Sequence, residues 1–171
     1  MMDTDTRREQ IKELLRNSEH PITGTDLAER LGVSRQVIVQ DMAVLRAGGQ
    51  EILASPQGYY LQRHLLGMHR TVVAVQHTPA QTEDELIALV DVGVEVVDVI
   101  VEHPIYGEQR GMLHIASRED VRQFIDRLRV TGAHLLSELT DGVHLHTLEA
   151  RRPEQLARAR QVLQERGYLV E

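Results

Sequence analysis

Apolar residues recur at helical spacing through the first third of the chain and at alternate positions through much of the rest. Residues 6–17 place Ile11, Leu14 and Leu15 on one face, which predicts a first helix with one buried stripe. His20-Pro21 ends it, because the residue before a proline disfavours helical backbone. Thr23 or Thr25 can cap a second helix ending near Leu31, with Gly32 as its C-terminal stop. Ser34 is the N-cap of a third helix running to about Ala47, with Val37, Val44 and Leu45 among its apolar positions. Two short segments, Glu51–Ala54 and Tyr59–Gln62, are joined by Ser55-Pro56-Gln57-Gly58, a composition that fits a β-hairpin loop. Three helices, a tight glycine turn between the second and third, and a hairpin make a winged helix-turn-helix.

The pattern changes near Gln62–Met68, where Gly67 and His64 interrupt the periodicity. Two domains are expected, residues 1–66 and 67–171. The second opens with a Val-rich strand, Thr71–His77, and a helix, Pro79–Val92, acidic in its first turn as the helix dipole favours. Val94–Glu102 is a nearly continuous β-branched run and reads as a central strand. A turn at His103–Gly107 returns the chain as strand Gln109–Ala116, and Ser117 caps a helix to about Val130. A short strand is expected at Leu135–Glu138, then a turn at Asp141-Gly142 into strand Val143–Leu148. A helix, Pro153–Arg166, and a terminal strand, Tyr168–Val170, complete an α+β domain with a mostly antiparallel sheet, ferredoxin-like with additions.

Composition narrows the chemistry. The 171 residues include no Cys, which excludes disulfides, Cys-based zinc fingers, iron–sulfur clusters and thiol catalysis. No apolar run approaches the roughly 20 residues of a membrane helix, and the N-terminus lacks a signal-peptide core, so a cytoplasmic protein is expected. The net charge of −7 argues at first against nucleic acid. Residues 1–66 carry 8 basic and 9 acidic side chains, however, whereas residues 67–171 carry 11 and 17. The acidity belongs to the second domain, and affinity for DNA depends on the cations of the face presented to it.

A helix-turn-helix lays its second helix in the major groove with its N-terminal residues at base edges. Here that helix opens with Ser34, Arg35 and Gln36, with Gln40 one turn later. Arg suits guanine, Gln suits adenine, and a Ser hydroxyl suits phosphate. Gln57 and Tyr59 on the wing are candidates for the backbone or the minor groove. So few basic residues in one small domain point to a homodimer reading two half-sites of double-stranded operator DNA.

Nine His in a chain without Cys are the second compositional signal. His144 and His146, two apart on a strand, point to one face. His77 ends the first strand of the second domain and Glu85 lies early in the following helix, a juxtaposition that a βα unit can create. Three His and a Glu suit Zn, Ni or Fe with coordination positions left open, while surface or internally satisfied His remain the alternative on spacing alone. His103, Tyr106 and Arg110, around one turn, are candidates for a small acidic effector, although an imidazole before proline also shapes a turn. His20, His64, His69 and His134 read as solvated, and His114 as structural or exposed. No nucleotide fingerprint, P-loop, nucleophile motif or paired-carboxylate motif is present, and no general base stands beside the proposed ligands, so a non-enzymatic regulator is expected.

Residues 33–41 (VSRQVIVQD) resemble the recognition-helix segment of the niacin-responsive repressors of NAD biosynthesis genes. Residues 96–107 (VVDVIVEHPIYG) and 142–150 (GVHLHTLEA) resemble the three-histidine (3H) domain of the same family. The resemblance covers nearly the whole chain. It implies a biotin-repressor-like winged helix followed by a 3H domain, a dimeric repressor with nicotinic acid as co-repressor, and a divalent transition-metal site. Carried onto matching positions, the metal ligands are His77, Glu85, His144 and His146. A regulator of the same architecture that senses another small acid, or the metal itself, is the first alternative, and a metal-dependent enzyme such as a hydrolase the second.

Overall fold

The computed structural model describes residues 2–62 and 68–171. Backbone contacts divide the chain into two compact units, Met1–His64 and Leu65–Glu171. Most of the expected boundary at Gln62–Met68 lies outside the described residues.

The first unit is three helices and a hairpin: α1 (Thr4–Asn17), α2 (Gly24–Leu31), α3 (Arg35–Ala47), β1 (Ile52–Ser55) and β2 (Gly58–Leu61). Each helix starts at a side-chain cap. Asp3 accepts from Thr6 N at 2.9 Å, Thr23 from Asp26 N at 3.1 Å and Ser34 from Val37 N at 3.2 Å. Of the two threonines proposed for α2, Thr23 holds the cap. Gly32 takes the left-handed conformation (φ 67°) that ends α2 and sets the tight turn into α3. The core gathers Ile11, Leu15, Leu27, Ile38, Met42 and Ile52. The buried stripe of α3 is Ile38, Met42 and Leu45; Val37 is half-buried and Val44 47% exposed, because the 38–42–45 spacing is the one that faces α1 and α2. A backbone pair between Ile22 and Tyr59 ties the wing to the α1–α2 connection, with both N–H groups donating across at 2.8 and 2.9 Å. Inside this unit Asp41 of α3, buried, receives Arg7 Nε at 2.6 Å and Nη2 at 3.0 Å, and Arg8 Nε at 3.0 Å, both from α1.

The second unit runs β3 (His69–Gln76), a 3-10 turn (Pro79–Gln81), α4 (Thr82–Asp91), β4 (Glu95–His103), β5 (Gly107–Ile115) and α5 (Arg118–Thr131). A second 3-10 turn (Leu136–Thr140), β6 (Val143–Ala150) and α6 (Pro153–Glu165) follow. The sheet is antiparallel throughout, in the order β3-β6-β4-β5. Leu86 and Leu89 of α4, Val121 of α5 and Leu163 of α6 pack on one face of it, against Val73, Val75, Val96, Ile115 and Leu148.

Three expectations need correction. Leu135–Glu138 is not a strand but the start of a 3-10 turn, in which the Glu138 carboxylate caps Leu135 N at 2.6 Å and takes the backbone donor a strand would have offered to a neighbour. Tyr168–Val170 contributes a single bridge, Leu169 to Val75, rather than a strand. The string βαββαβ matches a ferredoxin-like domain, which puts its first and third strands at the centre; here the second and fourth, β4 and β6, meet instead.

Along the long apolar run of β4 the ladder is interrupted. Register shifts between Val96 and Asp98 toward β5 and between Val96 and Ile100 toward β6. In the gap the Asp98 carboxylate accepts from Thr147 N at 2.8 Å and Thr147 Oγ1 at 2.9 Å, and the Asp98 carbonyl is turned to His146 Nδ1 at 2.7 Å. A bulge thus frees main-chain groups to hold a side chain of the site.

Candidate metal centre and DNA face

Strand periodicity brings the cluster together. β6 turns His144 and His146 to the same face as Leu148 and Ala150, toward the helices. Register sets Val75 opposite His144, and the chain leaves β3 just beyond, so His77 follows at the end of the His144 side. Glu85 stands one turn into α4 on its sheet-facing side. All four residues are buried, Glu85 to 1% exposure. His144 Nε2 lies 3.1 Å from His146 Nε2 and 3.3 Å from Glu85 Oε2; His146 Nε2 lies 2.5 Å from Glu85 Oε1; His77 Nε2 is in contact with Glu85 Oε2.

The tautomers follow from the outer contacts. His77 Nδ1 lies 2.7 Å from the Thr78 carbonyl, His144 Nδ1 2.8 Å from the Gly142 carbonyl and His146 Nδ1 2.7 Å from the Asp98 carbonyl. A carbonyl can only accept, so each Nδ1 carries the proton and each neutral ring turns a bare lone pair inward at Nε2. Three lone pairs and a carboxylate then converge with no donor among them, and both Glu85 oxygens and His77 Nε2 are buried without a hydrogen bond. Such a set repels itself unless a cation sits within it. Nitrogens about 2.0–2.1 Å from one ion would be separated by roughly 3.0–3.4 Å, the range seen between His144 and His146. His77, Glu85 and His144 lie close enough together to hold a metal ion, with His146 against the other Glu85 oxygen, and the carbonyl anchors are the outer contacts that metal-binding His ordinarily have.

Without a metal, protons must serve. Burial disfavours the Glu85 carboxylate, but charged His146 and the hydrogen bonds from His144 and His146 outweigh it and hold the carboxyl well below the usual range. Burial pulls His146 down, and the Glu85 charge outweighs that and raises it. A second carboxylate, Asp84, precedes Glu85 in the first turn of α4. It accepts from Tyr168 Oη at 2.7 Å, and burial together with that bond pushes the phenol up to about 12. The Tyr168 ring closes over His77, with centroids 5.3 Å apart.

Beside the cluster is a narrow cleft, open to solvent at its mouth. Its walls are Leu86, Val99, Leu113, Phe124, Leu135 and Leu136, with Thr82 and Ser137 as polar members. His103, Tyr106 and Arg110 are not among the lining residues. His103 Nδ1 accepts from Ile105 N at 3.1 Å and Tyr106 N at 3.2 Å, which shapes the hairpin turn; Tyr106 is 74% exposed, and Arg110 Nε lies 3.7 Å from Asp98 Oδ2. The apolar walls of the cleft carry no motif in the sequence. Asp98 is visible only as the one acid within residues 96–101, and its role depends on the facing strand.

On the first unit, Ser34, Arg35, Gln36 and Gln40 are exposed along the start and outer side of α3. The Arg35 stem and the Tyr59 ring both lie against Gly24, at the beginning of α2. Gln57 and Tyr59 are half-buried in the wing, and Tyr59 packs on the core. A short cavity lined by Thr23, Thr25, Arg35, Ser55 and Tyr59 runs between the wing and the helix starts.

A winged helix-turn-helix unit and an α+β unit with a buried His/Glu cluster define a DNA-binding regulator. Residues 7–60 match an HTH domain family and residues 70–171 the 3H domain family. The chain is 44% identical over 168 residues to the probable transcription repressor NiaR of Thermotoga maritima, spanning 96% of this chain and 95% of the relative. It is 42% identical over 167 residues to the transcription repressor NadR of Bacillus subtilis, spanning 96% and 93%. The chain belongs to this family of HTH–3H transcription repressors. Among the described residues no helix is long and apolar enough to cross a membrane.

Proposed function

We propose that the chain is a cytoplasmic, homodimeric repressor of NAD biosynthesis or niacin uptake genes, with nicotinic acid as its co-repressor. Residues 1–66 form the operator-binding domain and 67–171 the sensor. The observation that carries the sensor assignment is the donor-free convergence of three Nε2 lone pairs on Glu85 beside an apolar cleft. His77, Glu85, His144 and His146 hold a divalent metal, Zn, Ni or Fe, whose chemistry when bound is to offer an open coordination position to a carboxylate or pyridine nitrogen. The surrounding chain orients the rings through Thr78, Gly142 and Asp98 and keeps water from the ring faces with Leu86, Leu113 and Phe124. Nicotinate raises operator affinity by the amount it favours the DNA-binding form.

The test is an operator-shift titration with nicotinate on metal-loaded wild type and on a His144→Ala/His146→Ala variant. Nicotinate is expected to tighten operator binding by wild type about tenfold and to leave the variant unmoved. A variant that responds as wild type does would sink the coupling between metal and DNA. On the DNA side, Ser34, Arg35, Gln36 and Gln40 meet the major groove while Gln57 and Tyr59 support or contact the backbone. Arg35→Ala is expected to cost about 2 kcal/mol of operator binding at fixed salt. Equal affinity for the operator would remove Arg35 from the readout.

A further inference from the structure

Thr82 and Ser137 are the polar residues of the cleft that the metal reading does not use, and of the two it is Thr82 whose hydroxyl is buried without a partner. It begins α4, three residues before Glu85, which sets both side chains on one side of the helix. Thr82 is 8% exposed, and its Oγ1 is buried without a hydrogen-bond partner. A hydroxyl held away from water and unpaired costs roughly 1–3 kcal/mol, and a valine of the same shape would avoid that cost. Thr82 does not cap the preceding turn either, since Gln81 Oε1 accepts from Thr78 N at 2.9 Å there. The hydroxyl therefore lines an otherwise mainly apolar cleft that the His/Glu cluster also lines.

Resting on the sensor reading above, we propose that Thr82 Oγ1 is the second polar anchor of the effector and determines its specificity. The ligand it fits is a small, flat, two-ended molecule. One end reaches the cation held by the His/Glu cluster, an apolar ring lies along Leu86, Leu113 and Phe124, and the other polar end meets the Thr82 hydroxyl. A monocyclic aromatic acid with a ring heteroatom meets that description; a ligand polar at one end leaves the hydroxyl unpaired and is disfavoured.

The experiment is calorimetric titration of nicotinate, and of benzoate as the ligand lacking the second polar end, into metal-loaded wild type, Thr82→Val and Thr82→Ser. Metal affinity and the melting temperature of the metal-free proteins are measured alongside. Thr82→Val is expected to weaken nicotinate about tenfold, to bind benzoate as wild type does, and to melt at or above the wild-type temperature. Thr82→Ser is expected to restore nicotinate binding to within about threefold of wild type. Undiminished nicotinate binding by Thr82→Val overturns the anchor. A Thr82→Val protein that loses metal in parallel, or melts lower, also overturns it, because the hydroxyl then supports the fold or the cluster. A wild type that binds metal but no nicotinate overturns the sensor reading itself.

Discussion

Gly142→Ala is expected to destabilise the second unit by about 3 kcal/mol and to weaken metal binding by at least about tenfold. Gly142 has a φ of 90°, and a Cβ built there would stand 2.3 Å from the His77 carbonyl oxygen and 3.2 Å from its carbon. Left-handed backbone strain accounts for roughly 1–2 kcal/mol. The remainder comes from contact with main chain, which cannot rotate aside as a side chain can. The carbonyl of the same glycine fixes the His144 ring at 2.8 Å, so relief of the clash moves His77 and His144 together. Denaturant unfolding and a competition titration with a chelator check the two effects. A variant as stable as wild type and with equal metal affinity would contradict the close approach of the two segments.

Asp41→Ala is expected to cost the first unit about 3 kcal/mol and to lower operator affinity while metal affinity holds. Asp41 is 1% exposed and takes three hydrogen bonds from Arg7 and Arg8, which brace α1 against α3. Burial alone would raise its pKa, but the two guanidiniums outweigh that and hold it below the ordinary value. Its contribution is therefore present at neutral pH and lost as the pH falls below the unfolded value of 3.8 through the lower folded one. Removing the carboxylate leaves two cations facing a hole, the costly way to break a buried pair. Hydrogen exchange of the α3 amides reads the effect directly; unchanged protection would refute the brace.

What was legible in the sequence was local. Ser34 before an amphipathic run announces α3, and residues two apart on a strand, His144 and His146, announce a shared face. Gly32 between two helices announces the turn. What was not legible depends on partners far along the chain. Leu135–Leu136 looks like strand because two adjacent apolar residues fit either period, and only the Glu138 cap decides for a 3-10 turn. Asp98 sits in a run that reads as an unbroken central strand, and its bulge arises from Thr147, 49 residues later. His103, Tyr106 and Arg110 form a compact polar group legible in the sequence, whereas the leucines from α4, β5 and the segment after α5 that wall the cleft by the cluster are not. Apolar walls look like any other core in a sequence.

The three carbonyls that anchor the imidazoles come from the loop after β3, the turn before β6 and the bulge of β4. No short stretch of chain carries them, so an unfolded chain has no comparable site. A metal bound in the cluster is then a ligand of the folded state alone, and a thousandfold excess of metal over its dissociation constant adds about 4 kcal/mol to folding. Removal of the ion would then lower the stability of the sensor fold together with its response to an effector.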